Sequence, residues 1–138
     1  MGAQLRFTQL TPAQKDWYLD LILRNRNMYD DFLAFAKKRF QDENVRFLRT
    51  MTEIPWNGNV PISADMSRGI YASFVREGSF WQVNLPADKV RAIEASVGAE
   101  ETADWGPAVN EIRKLIQDNH LVVDFLADRE NRAQAARA

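Results

Sequence analysis

The chain holds one histidine, His120, and no cysteine. That removes Cys/His and His-pair metal sites and leaves no thiol nucleophile. The carboxylate pairs Asp30-Asp31 and Glu100-Glu101 are sequence neighbours. Neighbours on a helix or loop point apart, not across a bond to be cleaved, so they read as solvated faces. Gly58, Gly69 and Gly78 stand singly and make no phosphate-cradling loop. No Ser-His-acid set assembles, and His120, between Ile116 and Leu121, reads as structural or exposed. Two asparagines remain. Asn44 follows Gln41-Asp42-Glu43, and Asn84 sits in "GSFWQVNLP". A side-chain amide is neutral and offers a donor and an acceptor in fixed geometry, so it positions groups and does not transfer protons. On local rules Asn44 serves a first helical turn, and Asn84 an Asx-turn before the helix that Pro86 opens.

The elements that must position these residues read as helices. Thr11-Pro12 is a capping hydroxyl followed by a proline at the first helical position. Trp17, Tyr18, Leu21 and Ile22 follow as one apolar face, with Trp17 and Trp105 read as core packing. Asn25 to Asn27 breaks and recaps the chain. Met28, Phe32, Phe35, Ala36 and Phe40 mark a second helix, with Lys37, Lys38 and Arg39 where cations favour the dipole. Asp42 and Glu43 open a third, with Val45, Leu48 and Met51 inward, which stops before the 55–61 loop containing Trp56. Ser63 or Asp65 caps a fourth, with Met66, Ile70, Tyr71 and Phe74 inward and Gly78 as its left-handed stop. Phe80 and Trp81 read as packing that fixes the Asn84 loop, with the alternative that one of them faces a partner. Further helices cover Pro86 to Val97, Trp105 to Asn119 and Leu121 to Leu126.

Only Phe80 to Leu85 alternates like a strand, and one strand makes no sheet. The fold class is therefore all-α, a single compact multi-helix bundle of about seven to nine helices. An arm at 1–10 precedes the helical domain at 11–127, and an Ala/Arg-rich tail at 128–138 follows, frayed or disordered. With 138 residues, one domain can bury a core without disulfides. Eighteen basic against 19 acidic side chains give a formal charge of −1, which argues against nucleic acid or an anionic membrane as the main partner. No apolar run spans a bilayer and no signal-peptide pattern is present, so a cytoplasmic protein is expected.

Three blocks, in order, resemble the regulator of G-protein signalling (RGS) domain. "MYDDFLAFAKKRFQDENVRFLRTMTEI" is similar to the family's Phe-rich helix, its "EEN" turn and the helix after it, through Phe32, Phe35, Phe40, Glu43, Asn44, Phe47 and Leu48. "IYASFVREGSFWQVNLP" resembles the family's "IYxxFI…VNL/I" segment through Ile70, Tyr71, Phe74, Val75, Val83, Asn84 and Leu85. "DWGPAVNEIRKLIQDNHLVVDFL" looks like its closing helices, through Trp105, Ala108, Ile112, Ile116 and Phe125-Leu126. The resemblance spans Met28 to Leu126.

This resemblance implies a protein that binds the GTP-bound α subunit (Gα) of a heterotrimeric G protein and accelerates its GTP hydrolysis. Such a domain is not itself an enzyme and needs no cofactor. It braces the switch segments, so that Gα's own Gln orients the attacking water and its own Arg meets the developing charge. Carried over by position, the partner-binding residues are Phe40, Gln41, Glu43 and Asn44 from one turn, Asn84 from the loop, and Ile116, His120 and Asp124 from the last segment. The last group departs from the family, which usually has Asp where His120 falls and Arg where Asp124 falls. A shift by one residue puts Asn119 at the Asp position, still without a carboxylate. Pro86 replaces a common Asp or Ser cap, and Leu48 a frequent Trp. The alternative is an RGS-fold interaction or scaffold module without GTPase activation.

Overall fold

The computed structural model describes residue 7 and residues 9–54, 62–99 and 104–137. Most of the 1–10 arm, the 55–61 loop with Trp56 and Gly58, and the Glu100-Glu101 pair lie outside the described residues. Seven helices are described: α1 Pro12–Arg24, α2 Arg26–Lys38, α3 Asp42–Glu53, α4 Ala64–Phe74, α5 Ala87–Gly98, α6 Gly106–Asp118 and α7 Leu121–Arg137. No β-strand occurs among the described residues, and Phe80 to Leu85 is an irregular loop.

Local chemistry sets the helix starts. Thr11 accepts from the Gln14 backbone N–H while the Gln14 side chain takes the Thr11 N–H, a reciprocal cap. The Asn25 side chain accepts from the Met28 N–H and starts α2 one residue after α1 ends. Ser63, not Asp65, caps α4 by accepting from Met66 N–H. Such caps are each worth about 1 kcal/mol.

Helix α1 packs on α2, α3 and α7; α3 packs on α2 and α6; α4 and α5 pair with each other. Two aromatic groups hold the halves together. Phe32 and Phe35 from α2 meet Phe125 of α7 edge-on at 4.9 and 5.7 Å. Phe47 of α3 meets Phe74 of α4 at 5.5 Å and Trp105 at 6.2 Å. Trp105 is fully buried, and its indole N–H donates to Ser67 Oγ at 3.1 Å, so its one polar atom is satisfied inside the core. Burying one side chain of this size contributes about 1.5–3 kcal/mol.

The structure corrects several expectations about the helices. Trp17 does not pack in the core: it is 60% exposed, because α1 turns Leu19, Ile22 and Leu23 inward and leaves Trp17 and Leu21 outside. Met66 is likewise exposed on α4, where Ile70 and Phe74 are buried. Gly78 does adopt left-handed backbone, φ 80°, but α4 has already ended at Phe74, so Gly78 shapes the following loop and does not cap the helix. Helix α7 continues through the expected tail to Arg137, where Arg132 reaches Asp31 at 3.0 Å and Asp128 at 2.8 Å. At the other end, Phe7 is buried in the core.

Candidate functional site

The turn between α2 and α3 is built on an unusual residue. Helix α2 closes when Phe40 N–H donates to Lys37 O and Gln41 N–H reaches back to Ala36 O at 2.9 Å. This termination places its next-to-last residue in the left-handed region, a position glycine normally takes. Here Phe40 takes it, at φ 58°. A side chain there costs about 1–2 kcal/mol. The phenyl ring recovers nothing within the fold, since Phe40 is 87% exposed. Strain of this kind, with an exposed aromatic at its tip, points to a surface shaped for contact.

The turn between α6 and α7 also holds a left-handed residue that is not glycine. His120 N–H donates to Gln117 O at 3.0 Å, and His120 has φ 59°. Its side chain is exposed. The two turns touch: Asn119 Nδ2 donates to Gln41 Oε1 at 3.5 Å. Beside them Arg39 Nη1 donates to Asp124 Oδ2 at 2.5 Å, joining the end of α2 to the first turn of α7. The Arg39 guanidinium also lies over the Phe35 ring, 4.7 Å from its centre.

In the first turn of α3, Glu43 is half-buried, and that burial raises its carboxyl above the usual carboxylate range. Adjacent Asp42 adds to the rise, against a backbone N–H that lowers it. Asn44 is buried, and its Oδ1 has no hydrogen-bond partner. A buried amide oxygen without a donor costs about 1–3 kcal/mol.

The Asn84 loop is pinned against the end of α4. Val83 N–H donates to Phe74 O at 2.8 Å, Trp81 N–H to Ser73 O at 3.3 Å, and Gly78 N–H to the Gln82 side chain at 3.0 Å. Val83 is buried and Asn84, the next residue, is exposed. Asn84 borders a groove of about 570 Å³ that also has Val83, Leu85, Val90, Arg91 and Glu94 in its walls. Trp81 ties this loop to α3: its ring stacks on Phe74 at 6.2 Å and lies under the Arg46 guanidinium at 5.1 Å. Arg46 in turn donates to Asp42 at 3.4 Å, one residue from Gln41.

Contacts and chain neighbours therefore link the Asn84 loop, through Trp81, Arg46 and Asp42, to Gln41 and on to Asn119 and His120. Three segments far apart in sequence are joined in this way. A family model for the regulator of G protein signaling domain matches residues 18–129, most of the chain. The chain belongs to the RGS domain family. No curated protein matches it as a relative.

As an RGS domain its all-helical fold is the one expected, and the family works by binding, not by catalysis of its own. Of the eight residues carried over from the resemblance, seven lie in the three connected segments. Ile116 is the exception: it is fully buried in the core and offers no surface to a partner. Asn44 is also buried. Phe80, expected as packing for the loop, is 87% exposed; Trp81 alone does the packing. Arg39, expected to complement the α2 dipole, also pairs with Asp124. The reversed charge at 124 was the available signal, since a half-buried carboxylate needs a counter-charge. Among the described residues no cluster of three metal-ligating side chains occurs, and no helix is long and apolar enough to cross a membrane.

Proposed function

We propose that this RGS domain binds the GTP-bound α subunit of a heterotrimeric G protein in the cytoplasm and accelerates its GTP hydrolysis. The observation that carries this reading is Asn84: an exposed amide on a loop pinned to α4 and linked by contacts to both left-handed turns. A rigid amide contributes to rate by holding the switch segment in its reactive arrangement, at little entropic cost at the moment of reaction. Its oxygen and its NH₂ can engage a switch backbone and the Gln that orients water, while Gα's own Arg and Mg²⁺ carry the charge. Phe40 and His120, exposed on left-handed turns, add fixed contacts in this reading. Single-turnover GTP hydrolysis across a panel of Gα subunits tests this: acceleration by the native domain, lost in Asn84→Ala, is the expected result. Absence of acceleration with every Gα sinks it.

A second reading is an RGS-fold interaction module without activation. The Arg39–Asp124 pair favours it, because the carboxylate at 124 already has an internal partner and carries the opposite charge to the family's usual Arg. That reading expects Gα binding that ignores the nucleotide state, or none, in the same panel.

A further inference from the structure

Phe80 has no role in the core, and no position of the family resemblance assigns it one. It is 87% exposed, yet it is held in place. Its ring meets Trp81 edge-on at 5.0 Å, with 84° between the planes. Trp81 is itself fixed between Phe74 and the Arg46 guanidinium. The backbone on either side is tied down: Ser79 N–H donates to Arg76 O at 2.9 Å, and Gln82 N–H to Ser79 O at 3.3 Å. A phenyl ring so displayed has little conformational freedom left to lose on binding, and its whole apolar surface is available for burial. Buried aromatic anchors of this kind dominate interface energetics.

Its location follows from chain geometry. Phe80 precedes Asn84 by four positions, so their α-carbons lie within about 14 Å. A standard interface covers about 800 Å² per partner, a disc of about 16 Å radius. A partner centred on Asn84 therefore reaches Phe80. We infer that Phe80 is a specificity-determining anchor of this domain, inserting into an apolar hollow beside the switch surface of its Gα partner and selecting the Gα subunits that possess one. This inference rests on the Gα reading above.

The test measures the affinity of the full chain for a panel of Gα subunits in the GDP–aluminium fluoride form, for the native protein, Phe80→Ala, Phe80→Leu and Asn84→Ala. Thermal unfolding of each is recorded alongside. Phe80→Ala should weaken binding to the best Gα by roughly tenfold or more, leave the poorest Gα unchanged, and keep the native melting temperature. Phe80→Leu should restore most of the loss. If Phe80→Ala binds every Gα as the native protein does while Asn84→Ala is impaired, the Gα reading stands and the anchor is overturned. If the native protein binds no Gα, both fall. Sedimentation with phosphatidylcholine–phosphatidylserine vesicles that depends on Phe80, with Gα affinity unchanged, assigns the ring to a membrane surface and overturns the anchor.

Discussion

Arg39 and Asp124, 85 positions apart, form an ion pair that closes one side of the candidate surface. Arg39 keeps 42% of its side-chain surface in solvent and Asp124 21%, so the pair is screened on one side only. Pairs of this exposure contribute at most about 1 kcal/mol. Asp124→Ala should therefore lower stability by roughly 0.5–1 kcal/mol. The exchanged variant Arg39→Asp/Asp124→Arg should recover most of that in urea unfolding. Asp124→Arg alone should be worse than Asp124→Ala, because it sets two guanidinium groups against each other. The exchange keeps the internal pair but moves the positive charge onto α7, so a change in Gα preference without a change in stability would place the pair within the partner footprint.

The two asparagines sort by burial. Asn84 is exposed on its loop, so Asn84→Ala should shift stability by less than about 0.5 kcal/mol while reducing GTPase acceleration. Asn44 is buried with an unpartnered Oδ1. Asn44→Leu fills similar space without stranding a polar atom, so it should leave stability unchanged or raise it by up to about 1 kcal/mol. Acceleration should still fall, because the turn carrying Gln41 and Glu43 would reset. Chemical denaturation and single-turnover hydrolysis on the same samples separate the two effects.

The left-handed turns make a prediction of their own. Glycine adopts the backbone of Phe40 and His120 without the Cβ clash, though it also adds freedom to the unfolded chain. Net, Phe40→Gly and His120→Gly should each stabilise the fold by about 0.5–1 kcal/mol. Each should also weaken partner binding, since the exposed ring is gone. Loss of stability in both variants would mean that the rings are held by contacts within the fold.

What was legible in the sequence was local. Thr11, Asn25 and Ser63 cap because a side-chain oxygen reaches a backbone N–H three residues on, and nothing distant is needed. Phe32, Val45 and Leu48 are readable as core because the helical spacing aligns them with other large apolar residues. Trp17 and Phe80 are not, because an aromatic is buried only if another element happens to cover its face, and none does. Phe40 and Asn84 were found through the family resemblance, and the structure added why they protrude: a left-handed backbone in one case and a pinned loop in the other. Arg39 could not be matched to Asp124 by spacing, since that pair exists only once α2 and α7 are packed. Ile116 is the reverse case, a position carried over from the resemblance that the packing of α6 turns inward.

Glu43 links the site to pH. Burial raises its carboxyl above the ordinary value of 4.5, so the folded protein holds this proton more tightly than the unfolded chain does. By linkage, the contribution of Glu43 to stability is fully present below that ordinary value and is lost as pH rises through the elevated one. Glu43→Gln carries no such charge. Its melting temperature should match the native protein's in acid and exceed it at neutral pH, with the difference opening just above the ordinary glutamate range. Partner binding should move the other way. The native carboxylate, held part-buried beside Asn44 at a cost to the fold, is available as an acceptor to Gα at neutral pH, and Gln offers only a weaker neutral one. A Glu43→Gln variant both more stable and less able to bind Gα at pH 7 is the expected pair of results. Equal melting temperatures across the whole pH range would remove the burial argument.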